Sequence, residues 1–265
     1  MEGRAFSIAV DLRHGGRWTS LRGLSGKEWL WRRAGASGRE DVQPSGPFVD
    51  VGGVEECLPT ICGEPDHGDI WTREWTGGDD DATVETDAFA LRRQLRVGTS
   101  IIADYALTSE RGYRFIWSWH GLFDPVPGLE VVAPVGHEVW AWPDHYGEPV
   151  RTVWPAVLER RGFERLGDDD GSSLFCLLPG LRQLSLRDGD DVLNMRLELN
   201  DQPFAMAVWR NLRGYPWDGS EKYRSFGIEP MIGLVHTLAK AGPDEAGVVP
   251  ASGVVEWRLT LGGES

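Results

Sequence analysis

Several things are scarce in this chain, and each scarcity narrows its chemistry. Only three cysteines, Cys57, Cys62 and Cys176, occur in 265 residues, too few and too odd in number for a disulfide framework. No stretch approaches the ~20 apolar residues of a membrane-spanning helix. Met1–Leu12 contains acids and lacks the apolar centre of a signal peptide, so a cytoplasmic protein with no membrane partner is the expectation. Positive charge is also short. Lys and Arg number 27 against 41 Asp and Glu, a formal net charge of −14, which argues against nucleic acid or an anionic membrane surface as partner. The phosphate-cradling loop, the dinucleotide G-x-G-x-x-G and the G-x-S-x-G elbow are missing, which disfavours nucleotide-dependent enzymes and serine hydrolases. Cys57, Cys62 and His67 match no common zinc spacing, and His120, His137 and His145 lack the spacing of a preformed metal face. A three-histidine site would have to be assembled in three dimensions. Helical periodicity is thin, with two short helices expected at Trp154–Arg161 and Leu234–Ala241.

What the chain has in quantity is short strands punctuated by turns. Phe6–Leu12, Trp18–Leu24 and Trp29–Arg33 open it, and Ala82–Val97 reads as one bent strand or two. Ile101–Thr108 and Tyr113–Trp119 flank Glu110-Arg111-Gly112, a hairpin signal. Leu181–Leu186, Val192–Leu199 and Phe204–Trp209 read as a meander turning at Asp188-Gly189 and Asn200-Asp201, and Gly253–Leu261 closes the chain. No repeat or linker divides it, so residues 1–265 are expected to form one mainly β domain of packed antiparallel sheets with a concave face. The acidic runs Asp79–Asp81 and Asp168–Asp170 are expected as solvated loop tips.

Tryptophan is abundant, 13 against 5 tyrosines, and recurs as W-x-W at 29/31, 117/119 and 140/142. Residues i and i+2 of a strand share a face. Along Tyr113–His120 this parity sends Trp117 and Trp119 to one side, as core, and His120 to the other, as a cleft-facing group. Ala34–Trp75 lacks clean periodicity but carries Glu55-Glu56, Pro65, His67 and Arg73. A loop region of that length is expected to be functional.

Three segments place ionisable side chains at strand ends or turns, where binding groups concentrate: Pro65-Asp66-His67-Gly68 with Trp71 and Arg73, Trp119-His120-Gly121-Leu122-Phe123, and Gly227-Ile228-Glu229-Pro230. In their order and spacing, together with Glu28-Trp29-Leu30-Trp31, Gly53–Pro59 and Ala207-Val208-Trp209-Arg210-Asn211, they resemble the aldose 1-epimerase, or galactose mutarotase-like, family. The resemblance runs through most of the chain.

It implies a large antiparallel β-sandwich of the galactose mutarotase-like supersandwich type with few short helices. It also implies no cofactor and a small-molecule carbohydrate as partner. By the same residue-by-residue match, Glu229 is the general base and His120 the general acid of anomer exchange in a hexose or hexose phosphate. Carboxylate and imidazole, with ordinary pKa values of ~4.3 and ~6.5, suit those roles. His67 is expected to bind substrate hydroxyls or assist at the ring oxygen, and Arg73 to orient the sugar. Trp71 and Trp209 are candidates to touch the ligand, and Asp144 is the candidate substrate-binding aspartate. Arg73, Arg210, Arg213, Lys222 and Arg224 are the residues from which a phosphate subsite would be drawn. Two other readings stand beside this one: a non-catalytic sugar-binding protein on the same scaffold, and another carbohydrate-active enzyme, such as a glycosidase with two carboxylates.

Overall fold

The computed structural model describes residues 5–143 and 147–262. Among these residues, two large antiparallel sheets dominate. One has nine strands, in the order Ser7–Asp11, Arg17–Arg22, Gly53–Cys57, Trp117–Phe123, Arg224–Ile232, Phe204–Leu212, Ser172–Pro179, Glu138–Trp142 and Val150–Val153. The other has eight, in the order Glu130–Val132, Gln183–Asp188, Asp191–Leu199, Val254–Gly262, Ser100–Ser109, Phe89–Val97, Asp81–Glu85 and Thr76–Gly78. The expected β-sandwich is what forms. Among the described residues, no helix is long and apolar enough to cross a membrane.

The main core lies where the sheets face each other, and strand parity decides what fills it. Trp117 and Trp119 are fully buried there. Trp117 lies 5.0 Å from both Tyr105 and Trp257 of the eight-stranded sheet, and those two rings stack on each other at 5.2 Å. Gly121 makes the packing of Trp119 possible, because a Cβ there would meet the Trp119 ring at 2.5 Å. One polar cluster is embedded in this core. Glu56 accepts hydrogen bonds from Tyr105 (2.8 Å), Trp117 Nε1 (2.9 Å) and Arg93 Nη1 (3.1 Å). Its neighbour Glu55 points to the opposite face, where Arg39 binds it with two parallel N–H···O bonds of 2.8 Å. The Glu55-Glu56 pair is therefore two buried ion pairs, one on each side of a single strand.

The other face of the nine-stranded sheet is hollowed. Side chains of Ser118, His120 and Leu122 share it with Gly227, Glu229 and Met231, then Ala205, Ala207 and Trp209, then Phe175 and Leu177, and finally Trp140 and Trp142, as the cross-strand register requires. A second, smaller apolar cluster including Phe175, Ala207 and Met231 lines it.

Several local expectations are corrected. The strand Ser100–Ser109 does not form a hairpin with the segment after Gly112. Both its edges are already paired, with Phe89–Val97 and Val254–Gly262, so the chain crosses to the other sheet, where Trp117–Phe123 lies between Gly53–Cys57 and Arg224–Ile232. The meander likewise breaks at Asn200-Asp201: Asp191–Leu199 stays in one sheet and Phe204–Leu212 enters the other. Trp29–Arg33 makes only isolated bridges. Ala82–Val97 is two strands, Asp81–Glu85 and Phe89–Val97. The helix expected at Trp154–Arg161 is a small hairpin, because Glu159 and Arg160 both take positive φ and turn the chain in two residues. Leu234–Ala241 keeps only the single 3-10 turn Leu238–Lys240. The acidic run at 168–170 is exposed loop, as expected, and it also carries ion pairs: Asp169 holds Arg213 and Arg224, and Asp170 holds Arg210.

Candidate functional site

His67, His120 and Glu229 converge on one cavity of about 340 Å³ on the hollowed face. Two of them are placed by sheet register. Gly227 pairs with Leu122 and Met231 with Ser118, so continuing the register sets Glu229 opposite His120. Pro230 has no N–H to give, and the ladder is interrupted there. His120 Nε2 ends 3.7 Å from Glu229 Oε1, beyond a hydrogen bond but close enough for both groups to reach neighbouring atoms of one ligand. The second Glu229 oxygen accepts a hydrogen bond from Ser118 Oγ (3.1 Å), which fixes the carboxylate. His120 Nδ1 is buried without a hydrogen-bond partner.

His67 arrives from the loop after Gly53–Cys57. Gly68, with φ of 83°, lets this loop press on the preceding chain, since a Cβ there would lie 2.3 Å from the Leu58 carbonyl oxygen. The His67 N–H donates to the Ile61 carbonyl at 2.7 Å. Its ring donates from Nδ1 to Asp66 Oδ1 (2.8 Å), and Asp66 Oδ2 accepts the Phe48 N–H (3.0 Å). Phe48 stacks on His67 at 3.5 Å and meets His120 edge-on at 5.7 Å. Burial lowers the pKa of His67, with Asp66 opposing the shift and His120 adding to it. Burial also disfavours the Asp66 anion, but hydrogen bonds from His67 and Phe48 outweigh it and hold the carboxyl below its ordinary pKa. The pair is thus a neutral imidazole and an ionised carboxylate at pH 7.

One wall of the cavity is aromatic. Trp209 meets Tyr215 and Trp217 edge to face at 5.5 and 6.4 Å, and Trp217 is 50% exposed. Tyr223 donates to Asp50 Oδ2 at 2.5 Å, stacks on Trp31 and lies under the Arg33 guanidinium. Cys62 also lines the cavity; desolvation, then the charges of Glu229 and Asp66, push its thiol up to about 12. It is therefore a thiol, not a nucleophilic thiolate, at neutral pH. Among the described residues, no group of three or more His, Cys, Asp or Glu is arranged to hold a metal ion.

Of the residues singled out from sequence, His67, His120, Trp209 and Glu229 line the cavity. Trp71 does not: it has no exposed surface, donates from Nε1 to the Asp66 carbonyl (2.9 Å) and supports the loop from below. Arg73 does not either, because its guanidinium folds back on Asp69 (2.9 Å). Asp144 lies outside the described residues. Phe48, Asp50, Tyr215, Trp217 and Tyr223 line the cavity without having been singled out, and Asp66, present in a candidate segment, had been given no role. Two signals for them were present: Asp66 is adjacent to His67, and Tyr215, Trp217 and Tyr223 form an aromatic cluster just after Trp209.

No protein-family model and no curated protein sequence matches the chain. Solved structures do. A candidate aldose 1-epimerase from Escherichia coli K12 superposes with a TM-score of 0.70 at 13% identity, over 99% of this chain and 96% of its own. A galactose mutarotase related enzyme from Lactobacillus acidophilus gives 0.63 at 14%, over 100% and 96%. A galactose mutarotase-like protein from Lactobacillus casei ATCC 334 gives 0.61 at 14%, over 100% and 99%. At such identities the likeness is one of architecture, and the chain has the galactose mutarotase-like fold.

Proposed function

We propose that the protein is an aldose 1-epimerase-like isomerase that interconverts the α and β anomers of an uncharged hexose-type sugar. The observation that carries this reading is the side-by-side placement of His120 and Glu229, 3.7 Å apart, in a cavity of single-sugar size. The C1 hydroxyl and the ring oxygen of an aldopyranose are bonded to the same carbon, so the base for one and the acid for the other must be close neighbours. Glu229 takes the proton of the C1 hydroxyl while His120, protonated, delivers one to the ring oxygen, and the C1–ring oxygen bond breaks to leave the open-chain aldehyde. Rotation about C1–C2 presents the other carbonyl face. Closure runs the transfers in reverse, returning both protons, so no net proton or co-reactant is needed.

The charge of the cavity favours a neutral substrate. Asp50, Asp66 and Glu229 line it, and among the described residues no Lys or Arg does. The cations considered for a phosphate subsite are engaged elsewhere or lie outside: Arg73 with Asp69, Arg210 with Asp170, Arg213 and Arg224 with Asp169, and Lys222 on the neighbouring groove. The aromatic wall of Trp209, Tyr215 and Trp217 suits the C–H face of a pyranose. A non-catalytic sugar-binding role shares the cavity and the wall but gives no reason for the paired acid and base.

The test is saturation-transfer NMR or polarimetry of anomer exchange on glucose, galactose and glucose 6-phosphate. The reading predicts acceleration over buffer for a neutral hexose and little for the phosphate. Saturable sugar binding with no acceleration would favour the non-catalytic role. Faster exchange of glucose 6-phosphate than of glucose would overturn the neutral-substrate assignment.

A further inference from the structure

We propose that Asp66 is a positioning residue that locks His67 in the tautomer with its proton on Nδ1, so that Nε2 faces the cavity as an acceptor for a sugar hydroxyl rather than as a donor to the ring oxygen. The kinetic consequences rest on the isomerase reading above; the tautomer itself does not.

An ionised carboxylate only accepts hydrogen bonds, so the 2.8 Å contact between Asp66 Oδ1 and His67 Nδ1 requires the proton on Nδ1. The Asp66 carboxylate is itself oriented by the Phe48 N–H, and its backbone carbonyl by the buried indole of Trp71. The imidazole cannot swing away, because Phe48 lies flat on it at 3.5 Å with an interplanar angle of 11°. The backbone beneath is pinned at Ile61 and Leu58. With Nδ1 committed and the ring clamped, Nε2 is the nitrogen left for a ligand. A neutral imidazole offers only a lone pair there. A ring oxygen has no proton to give, whereas every sugar hydroxyl does. His67 is thereby assigned to substrate recognition, and proton delivery is left to His120.

The pH behaviour follows from the groups that face His67. They are Asp66 on its own loop, His120 from Trp117–Phe123 and Glu229 from Arg224–Ile232. Cys62 and Tyr215 lie within electrostatic reach of Asp66 and are neutral at pH 7. Protonation turns Nε2 into a donor and removes the acceptor, so sugar affinity should fall as pH drops through the lowered His67 pKa. Removing the Asp66 charge removes an influence that raises that pKa, and this limb should move to still lower pH.

The experiment compares the wild type with Asp66→Asn, which is nearly isosteric and leaves the loop's backbone contacts in place. Nitrogen-15 NMR of the labelled protein at neutral pH should show His67 protonated on Nδ1 alone, and the variant should show a changed tautomer or a mixture. With glucose and galactose as probes, KM in the variant should rise about 5- to 10-fold, the worth of one lost hydrogen bond. Its kcat should stay within about 3-fold, as for an interaction made equally in ground and transition states. Asp66→Glu should restore part of the affinity. An Nε2-protonated His67 in the wild type, or a tautomer unaltered in Asp66→Asn, would overturn the proposal whether or not the protein turns out to be an isomerase. So would a fall in kcat at constant KM. Absence of anomer exchange on any sugar would count against the isomerase reading alone, leaving the NMR result to decide the tautomer.

Discussion

The cluster behind the His120 strand gives the sharpest test of how the fold is held together. Glu56 is completely buried and faces Arg93, which is also buried. Replacing Glu56 with Leu removes the counter-charge of that guanidinium and the acceptor for Tyr105 and Trp117 at once. Breaking a buried ion pair from one side costs about 3–5 kcal/mol. For 265 residues, an unfolding entropy of about 2.1 cal/mol/K per residue converts 4 kcal/mol into a fall in Tm of about 7 °C. Arg93→Met should cost less at low pH, for a reason the carboxyl itself supplies. Burial already raises the pKa of Glu56, with Arg93 opposing the shift, so without the guanidinium the acid holds its proton more tightly when folded. A carboxyl whose folded pKa is raised favours the folded state below its unfolded pKa and loses that contribution as pH rises through the folded one. The penalty in Arg93→Met should therefore grow from pH 4 towards pH 8. The double variant, having no orphaned charge, should recover most of the loss of Glu56→Leu. Thermal unfolding by calorimetry at several pH values reads all three. A Tm change under about 2 °C in Glu56→Leu, or no recovery in the double variant, would falsify the claim that this pair is a dry, mutually dependent unit.

Two further predictions concern the cavity wall. Tyr223→Phe deletes the donor to Asp50 and should weaken sugar binding about 3- to 10-fold, seen in KM or by titration calorimetry. An unchanged affinity would mean that the Tyr223–Asp50 pair does not shape the site. Trp209→Ala removes the indole that packs against both Tyr215 and Trp217. It should lower sugar affinity about 2- to 10-fold and diminish the intrinsic fluorescence change on titration with glucose or galactose; an identical change in the variant would place the sugar elsewhere.

The β class, most strand positions and the inward turn of Trp117 and Trp119 were legible because alternation of burial is a local property of the chain. Sheet membership was not. The turns at Glu110–Gly112 and Asn200-Asp201 read as hairpins, yet in both places the chain passes between sheets, since the edge each hairpin would have used is paired with Val254–Gly262, distant in sequence. Parity also found His120, and the same rule applied to Glu229 and Trp209 puts both on its face. The second layer of the site was harder to read. Asp66 acts through its ring contact with the next residue, and Asp50 through Tyr223, 173 positions away. Such pairings depend on how loops fold over the sheet, which periodicity does not encode. Trp71 and Arg73 show the converse error. They lie next to His67 in sequence, but one is buried beneath the loop and the other is held by Asp69, so neither reaches the cavity that their neighbour lines.

The proposed isomerase activity stands or falls on His120 and Glu229 working together as acid and base on one sugar. Anomer exchange of the best neutral hexose, followed by NMR in the wild type, His120→Asn, Glu229→Gln and the double variant, tests it most directly. Each single change should lower kcat by about 10²- to 10⁴-fold, with sugar binding retained. The double variant should be little worse than either single one, because the two groups act as a unit. Wild-type rates in either single variant would contradict the pairing.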